Sequence, residues 1–170
     1  AFDSLTGSVD DYYPVTLRED IDSINALIYD NINNGVYKAG FATTQAAYEK
    51  ACEQLFDALE NIEKRLFANR YLLGERITEA DWRLFTTLVR FDAVYHGHFK
   101  CNIRRIEDYP NLSNYLRELY QLPGIADTVN IYQIKQHYYY SHDSINPTRI
   151  VPQGPALDFT SAHNRADRVY

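Results

Sequence analysis

At 170 residues, with 45% hydrophobic and 24% charged side chains, the chain has about the length and composition of one globular domain able to bury a core without disulfide or metal staples. A net charge of -6 argues against nucleic acid and anionic membrane surfaces as partners, since both select basic faces, and no apolar run is long enough to span a bilayer. Fifteen tyrosines stand against one tryptophan, so phenols are used here beyond ordinary packing.

The stretch 1–14 is acidic and polar, ends in Asp10-Asp11-Tyr12-Tyr13-Pro14, and reads as a linker. The sequence contains no methionine, not even at position 1, which we read as a fragment or processed product with part of its chemistry upstream. Helical periodicity begins at Leu17, with Ile21, Ile24 and Ile28 at spacings of three and four, and predicts a helix to about Ile32. Asn33-Asn34-Gly35 is expected to stop it. The following run, Val36-Tyr37-Lys38-Ala39-Gly40-Phe41-Ala42, is rich in turn formers yet apolar. It predicts a buried, Gly-bracketed turn that carries Tyr37 inward, either as a functional phenol or as a packing residue.

A second helix is predicted from about Thr43 to Phe67, with Tyr48, Cys52, Leu55, Leu59, Ile62 and Leu66 on one face and a length of about 35 Å. Ile77-Thr78-Glu79-Ala80-Asp81-Trp82 carries a helix start, with Thr78 as N-cap, Asp81 returning the bond, and Ile77 against Trp82 as a hydrophobic staple. Leu84, Phe85, Leu88, Val89 and Phe91 follow, so this helix is expected to be central and buried. Further helices are predicted at about 111–121, 123–130 and 132–140. Beyond Asn146, Pro147, Pro152, Gly154 and Pro155 rule out regular structure, leaving a tail that wraps the surface or stays loose. With no period-2 pattern, the fold class is all-α, a bundle of five or six helices around a long pair.

Cys52 and Cys101 are far apart and form no C-x-x-C, so reduced thiols are expected. Cys52 sits on a helical apolar stripe, whereas Lys100, Arg104 and Arg105 put cations near Cys101, an arrangement that lowers a thiol pKa. His96, His98, His137 and His142 lack the i, i+4 spacing of a zinc pair on one helix, and no metal is expected. Arg83 and Arg90 are expected to pair with Asp81, Asp92 or neighbouring carboxylates rather than bind an anion.

A Leu-Leu-Gly connection followed by Ile-Thr-x-Ala-Asp, opening a buried helix, resembles the helical domain of cytosolic glutathione transferases, in which this Thr and Asp form the capping box of the core helix; Thr78 and Asp81 inherit that structural role. The segments Asn33–Ala42, Thr86–Tyr95, His98-Phe99-Lys100-Cys101, Pro123–Ala126, His137–His142 and Ile145-Asn146-Pro147 extend the resemblance over essentially the whole chain. They are similar to the xi-class glutathione transferases, the glutathionyl-hydroquinone reductases.

The resemblance implies a two-domain, cytoplasmic enzyme whose N-terminal thioredoxin-like domain supplies a nucleophilic cysteine and most contacts to glutathione, the co-substrate. Only the second domain is present: 1–14 is then the linker from the first, 15–145 the helical domain and 146–170 an irregular tail. The implied substrate is a glutathionyl-hydroquinone. A thiolate attacks its glutathione sulfur, the hydroquinone leaves, and a second glutathione resolves the mixed disulfide. Neither Cys52 nor Cys101 inherits the nucleophile's role, so the chain alone is expected to be inactive. Tyr37 and Tyr138 inherit the positions of the substrate-site phenols, which donate to charge developing on the ring oxygens. Tyr139 and Tyr140 turn away from that face. A homodimer built through the helical domain is implied as well. The alternative is a non-catalytic interaction or assembly module of the same fold.

Overall fold

The computed structural model describes Gly7 and residues 10–166; most of the expected linker and the last four residues of the expected tail lie outside the described residues. Six α-helices are present among the described residues, with no strand beyond one isolated bridge between Tyr71 and Gly74. They are α1 (Arg18–Ile28), α2 (Gly35–Gly40), α3 (Gln45–Ala68), α4 (Glu79–Arg90), α5 (Pro110–Tyr120) and α6 (Ile131–Ser141). No helix among the described residues is long and apolar enough to cross a membrane.

The first helix follows a 3₁₀ turn at Val15–Leu17. It buries Ile21, Ile24 and Ile28 on one face and places Glu19 and Asp20 at its positive end. Asn33-Asn34-Gly35 does not end the coil. A π-turn at Tyr29–Asn33, closed by Asn34 N–H donating to Tyr29 O at 2.9 Å, leads directly into α2. Tyr37 thus sits inside a short helix rather than in a turn. Burial overrides the weak helix preference of this stretch: Val36 is fully buried, and a Cβ on Gly35 would lie 3.6 Å from the Leu55 Cβ of α3.

Thr44 caps α3, its Oγ1 accepting from Ala47 N–H at 3.2 Å. Leu55, Leu59, Ile62 and Leu66 run down the buried face of this helix. Buried among them is Glu63, whose carboxylate accepts from Asn111 N–H, Leu112 N–H and Asn111 Nδ2 at 2.7–2.9 Å and so neutralises the positive start of α5. Thr78 and Asp81 form a capping box at the start of α4. The Asp81 carboxylate accepts from Thr78 N–H at 2.7 Å, Leu72 N–H at 3.0 Å and the Tyr115 hydroxyl at 2.7 Å, which ties α4, the preceding connection and α5 together.

The helix expected at 123–130 is a single 3₁₀ turn, Ala126–Thr128. Pro123 lacks an N–H and Gly124 takes φ +81, a left-handed conformation that no helix propagates. The tail wraps the bundle. Lys135 Nζ donates to Gln153 O and Gly154 O at 2.9 and 3.1 Å, and the Phe159 ring lies 5.1 Å from that of Tyr120. Arg165 enters the core with no exposed surface. Its guanidinium donates to Glu118 Oε2, Leu66 O, Asn69 O and Arg70 O.

Candidate active site

Two π-turns prepare the site. The one after α1 delivers α2 and Tyr37; the other, Phe91–Tyr95 at the end of α4, delivers Tyr95. The second is held by Asp92, whose two carboxylate oxygens accept from Ile106 N–H at 2.7 Å and Glu107 N–H at 3.0 Å. Tyr138 arrives from α6. The Tyr138 hydroxyl lies 2.7 Å from that of Tyr37 and 2.8 Å from that of Tyr95, so three phenols from three parts of the chain form one hydrogen-bonded row.

Burial fixes the direction of this row. Tyr95 is 3% exposed and its hydroxyl bond is the one with Tyr138; a buried hydroxyl that failed to donate would strand its proton at about 1–3 kcal/mol. Tyr95 therefore donates to Tyr138, and Tyr138 donates to Tyr37. The proton of Tyr37 is left over, on a side chain that is 38% exposed. It faces a cavity of about 370 Å³ walled by Asn33, Asn34, Thr86, Thr87, Arg90 and the three tyrosines. Burial and the bond to Tyr37 push the Tyr138 pKa up to about 12, and burial first, then the bond to Tyr138, raises that of Tyr95 further. Both stay protonated donors at physiological pH.

Rings hold the row in place. Phe99 lies 5.2 Å from Tyr37 and 5.5 Å from Tyr95 between centroids. α2 reaches Phe99 only because residue 40 is glycine: a Cβ there would overlap the Phe99 ring and lie 2.8 Å from its Cβ. Beyond Phe99, His98 Nε2 and His142 Nδ1 are 3.1 Å apart. Burial, with His142 and Lys100 nearby, lowers the His98 pKa to about 4; burial and His137 lower that of His142.

The structure brings Tyr37 and Tyr138 together and adds Tyr95, which sequence reasoning did not single out. Its signal was available only in part. Tyr95 ends the segment Thr86–Tyr95, but the π-turn that rotates it inward has no clear sequence mark. Tyr139 packs its ring 4.5 Å from that of His98, and Tyr140 is half exposed; neither bonds to the row. The cations near Cys101 do not lower its pKa. The side chain is fully buried, its Sγ lies 3.9 Å from Val36 O, and burial raises the thiol pKa. Cys52 is also buried and free. Among the described residues no group of three metal-ligating side chains occurs. The arginine expectation holds for Arg83, which pairs with a neighbouring carboxylate, and not for Arg90. Arg83 pairs with Glu79, Asp81 and Asp92 are taken by backbone donors, and Arg90 donates to Thr86 O.

The arrangement is a row of neutral donors at the end of an aromatic wall, suited to oxygens on a planar ring. Residues 45–118 match the family model for the glutathione S-transferase C-terminal domain. The chain is 54% identical over 165 residues to the glutathionyl-hydroquinone reductase YqjG of Escherichia coli, covering 97% of this chain and 50% of that protein. It is 57% identical over 156 residues to the glutathionyl-hydroquinone reductase PcpF of Sphingobium chlorophenolicum, covering 92% and 50%. The glutathione-bound structure of YqjG superposes with a TM-score of 0.96 at 54% identity over 98% of this chain and 54% of that one. A xi-class glutathione transferase from Natrialba magadii gives 0.95 at 50% identity, over 98% and 51%. The chain spans about half the length of the curated relatives it matches.

Proposed function

Because the chain belongs to the xi-class glutathione transferases, as a C-terminal helical domain, we propose that it forms the substrate wall of a glutathionyl-hydroquinone reductase. The observation that carries this reading is the Tyr95–Tyr138–Tyr37 row with its leftover proton facing the cavity. The ring of a glutathionyl-hydroquinone packs on the aromatic wall, and one of its oxygens accepts from Tyr37, whose hydroxyl is polarised by the bond it accepts from Tyr138. A cysteine thiolate from a thioredoxin-like N-terminal domain, absent from this chain, attacks the glutathione sulfur. The ring reacts as its keto tautomer, with a proton moved from a ring hydroxyl to the sulfur-bearing carbon; the carbon–sulfur bond breaks, its electron pair passes through the ring to the keto oxygen, and a proton on that oxygen completes the free hydroquinone. The enzyme cysteine is left disulfide-bonded to glutathione, and a second glutathione thiolate releases it as oxidised glutathione.

The phenols suit this step. Charge develops on the ring oxygens only as the bond to sulfur breaks, so donors aimed there stabilise the transition state more than the bound substrate. Two buried free thiols fit a reducing, cytoplasmic setting. Exposed Tyr29, Phe67 and Tyr132 offer large contact area for a homodimer through the helical domain; sedimentation at micromolar concentration is expected to show a dimer, and a strictly monomeric profile at high concentration rejects it. The reaction is tested by expressing the full reading frame beside the present 170 residues and following free hydroquinone by chromatography. Turnover by the longer protein alone is expected. Turnover by this stretch alone, or by neither protein, rejects the reading.

A further inference from the structure

Arg90 ends α4, immediately before the π-turn that carries Tyr95. A cation there is expected to be neutralised, yet no carboxylate of the described residues forms an ion pair with it, while Arg83, one helical stretch earlier, pairs with Glu79. One guanidinium nitrogen, Nη1, donates to Thr86 O; a guanidinium has five N–H donors. The residues beside it on the cavity wall, Asn33, Asn34, Thr86 and Thr87, are neutral, and the remaining wall is the three phenols. No acid stands in the wall to cancel the charge. Its field reaches the row, favouring negative charge at Tyr138. On its other side Arg90 borders a smaller, mostly apolar cavity of about 190 Å³ formed with Phe85, Val89, Val129 and Ile134.

A half-buried guanidinium without a counter-charge, among amides and hydroxyls and beside apolar surface, is the chemistry of a site for a planar anion. We propose that Arg90 determines substrate choice, favouring glutathionyl-hydroquinones whose ring bears an anionic substituent such as a carboxylate. The guanidinium takes the carboxylate in a two-point contact, while Tyr37, backed by Tyr138, takes a ring oxygen. This rests on the reading of the cavity as the hydroquinone site. Neutral rings still bind, because Arg90 keeps access to water when no anion is present; the consequence is a preference rather than an exclusion.

The test uses the full-length protein and a matched pair of substrates, the glutathionyl conjugates of 2,5-dihydroxybenzoate and of its methyl ester, which differ in charge and little in shape. The readout is the acid-to-ester ratio of kcat/KM, taken on one preparation so that lost folded protein cancels. The wild type is expected to favour the acid by about 10-fold or more, and Arg90→Gln to reduce that ratio at least about 10-fold, the scale of one good charged contact. Arg90→Lys, which keeps the charge but not the fork, is expected to fall between. A wild-type ratio near one, or a ratio that Arg90→Gln leaves unchanged, overturns the proposal.

Titration calorimetry with free 2,5-dihydroxybenzoate and its ester separates this inference from the reading beneath it. A binding preference for the acid that Arg90→Gln abolishes, in a protein that turns over neither conjugate, supports Arg90 as the anion-recognising residue and rejects the reductase function. No turnover and no binding preference rejects both.

Discussion

Arg165 Nε lies 3.2 Å from Glu118 Oε2, in an ion pair whose side chains are 0% and 3% exposed. Glu118 also accepts from Arg70 Nε at 2.7 Å and from the Tyr71 hydroxyl at 3.0 Å, so a residue of the irregular tail completes a buried network rooted in α5. Removing one partner of such a pair leaves charge uncompensated. Arg165→Ala is expected to destabilise the protein by about 2–4 kcal/mol, somewhat less than the loss for an isolated buried pair because Arg70 still serves Glu118. Urea unfolding measures it; a loss under about 1 kcal/mol would mean that the tail is not part of the cooperative unit.

Gly40→Ala forces a methyl group into Phe99. Overpacking of this kind costs about 1–3 kcal/mol, and Phe99 supports both Tyr37 and Tyr95. The variant is expected to lose stability and, in the full-length enzyme, kcat as well. Unchanged activity in a destabilised protein would show that the phenol row tolerates a shifted wall.

For Thr78→Ala the expected loss is about 0.5–2 kcal/mol, the usual worth of an N-cap. Asp81→Asn is expected to cost more, about 2–4 kcal/mol, because an amide NH₂ replaces one acceptor among donors from Leu72, Thr78 and Tyr115. Denaturant melts rank the two. Ligand affinity of the folded fraction should stay constant in both, and a change in affinity without a change in midpoint would move Thr78 into the site.

The His98–His142 contact sets an acid limb. His98 has a folded pKa of about 4, below the roughly 6.5 of an unfolded histidine, so in that window the unfolded chain holds a proton that the folded chain refuses. His142 is shifted in the same direction. Stability from this pair is fully present above about pH 6.5 and is lost as pH falls toward 4. His98→Phe, which keeps the stacking against Phe99, is expected to flatten the pH dependence of the urea midpoint between about pH 6.5 and 5. A wild-type slope retained in the variant would place the titration elsewhere.

Tyr37→Phe, which removes the donor to the developing oxyanion, and Tyr138→Phe, which removes the bond that Tyr37 accepts, are each expected in the full-length protein to reduce kcat about 10- to 1,000-fold, the range for one well-placed donor. Tyr95→Phe is expected to have a smaller effect in the same direction, since it removes the bond that orients Tyr138 without touching substrate. Steady-state kinetics decides, and wild-type rates in the first two variants would remove the phenols from the mechanism.

Much of this fold is written in local chemistry. The 3.6-residue period of Ile21, Ile24 and Ile28, the Thr78–Asp81 signature and the Pro-rich tail each name their own structure, and the helices they predict are present. Errors fall where long-range packing decides. Asn34 and Gly35 look like a stop until Leu55 of α3 is placed against Gly35. Pro123 and Gly124 spoil a helix that the apolar spacing beyond them favours. Tyr37 stands out in its Gly-bracketed run, but its substrate role and the whole of Tyr138's come through resemblance, because two tyrosines separated by 101 residues carry no periodic mark of their contact. Arg165 and Tyr95 were missed for the same reason: each is defined by a partner supplied from elsewhere in the chain.

The two π-turns each carry more residues per turn than the helix they extend. In an α-helix one residue corresponds to about 100° of rotation, so removing a single position from Tyr29–Asn33, or one ahead of Tyr95 from Phe91–Tyr95, would restore regular coil and swing Tyr37 or Tyr95 away from Tyr138. The phenol row is therefore encoded partly in chain length. A homologous sequence could retain every one of the three tyrosines and still lack the site through one deletion, and an alignment gap at either turn would say more about chemistry than the letters around it.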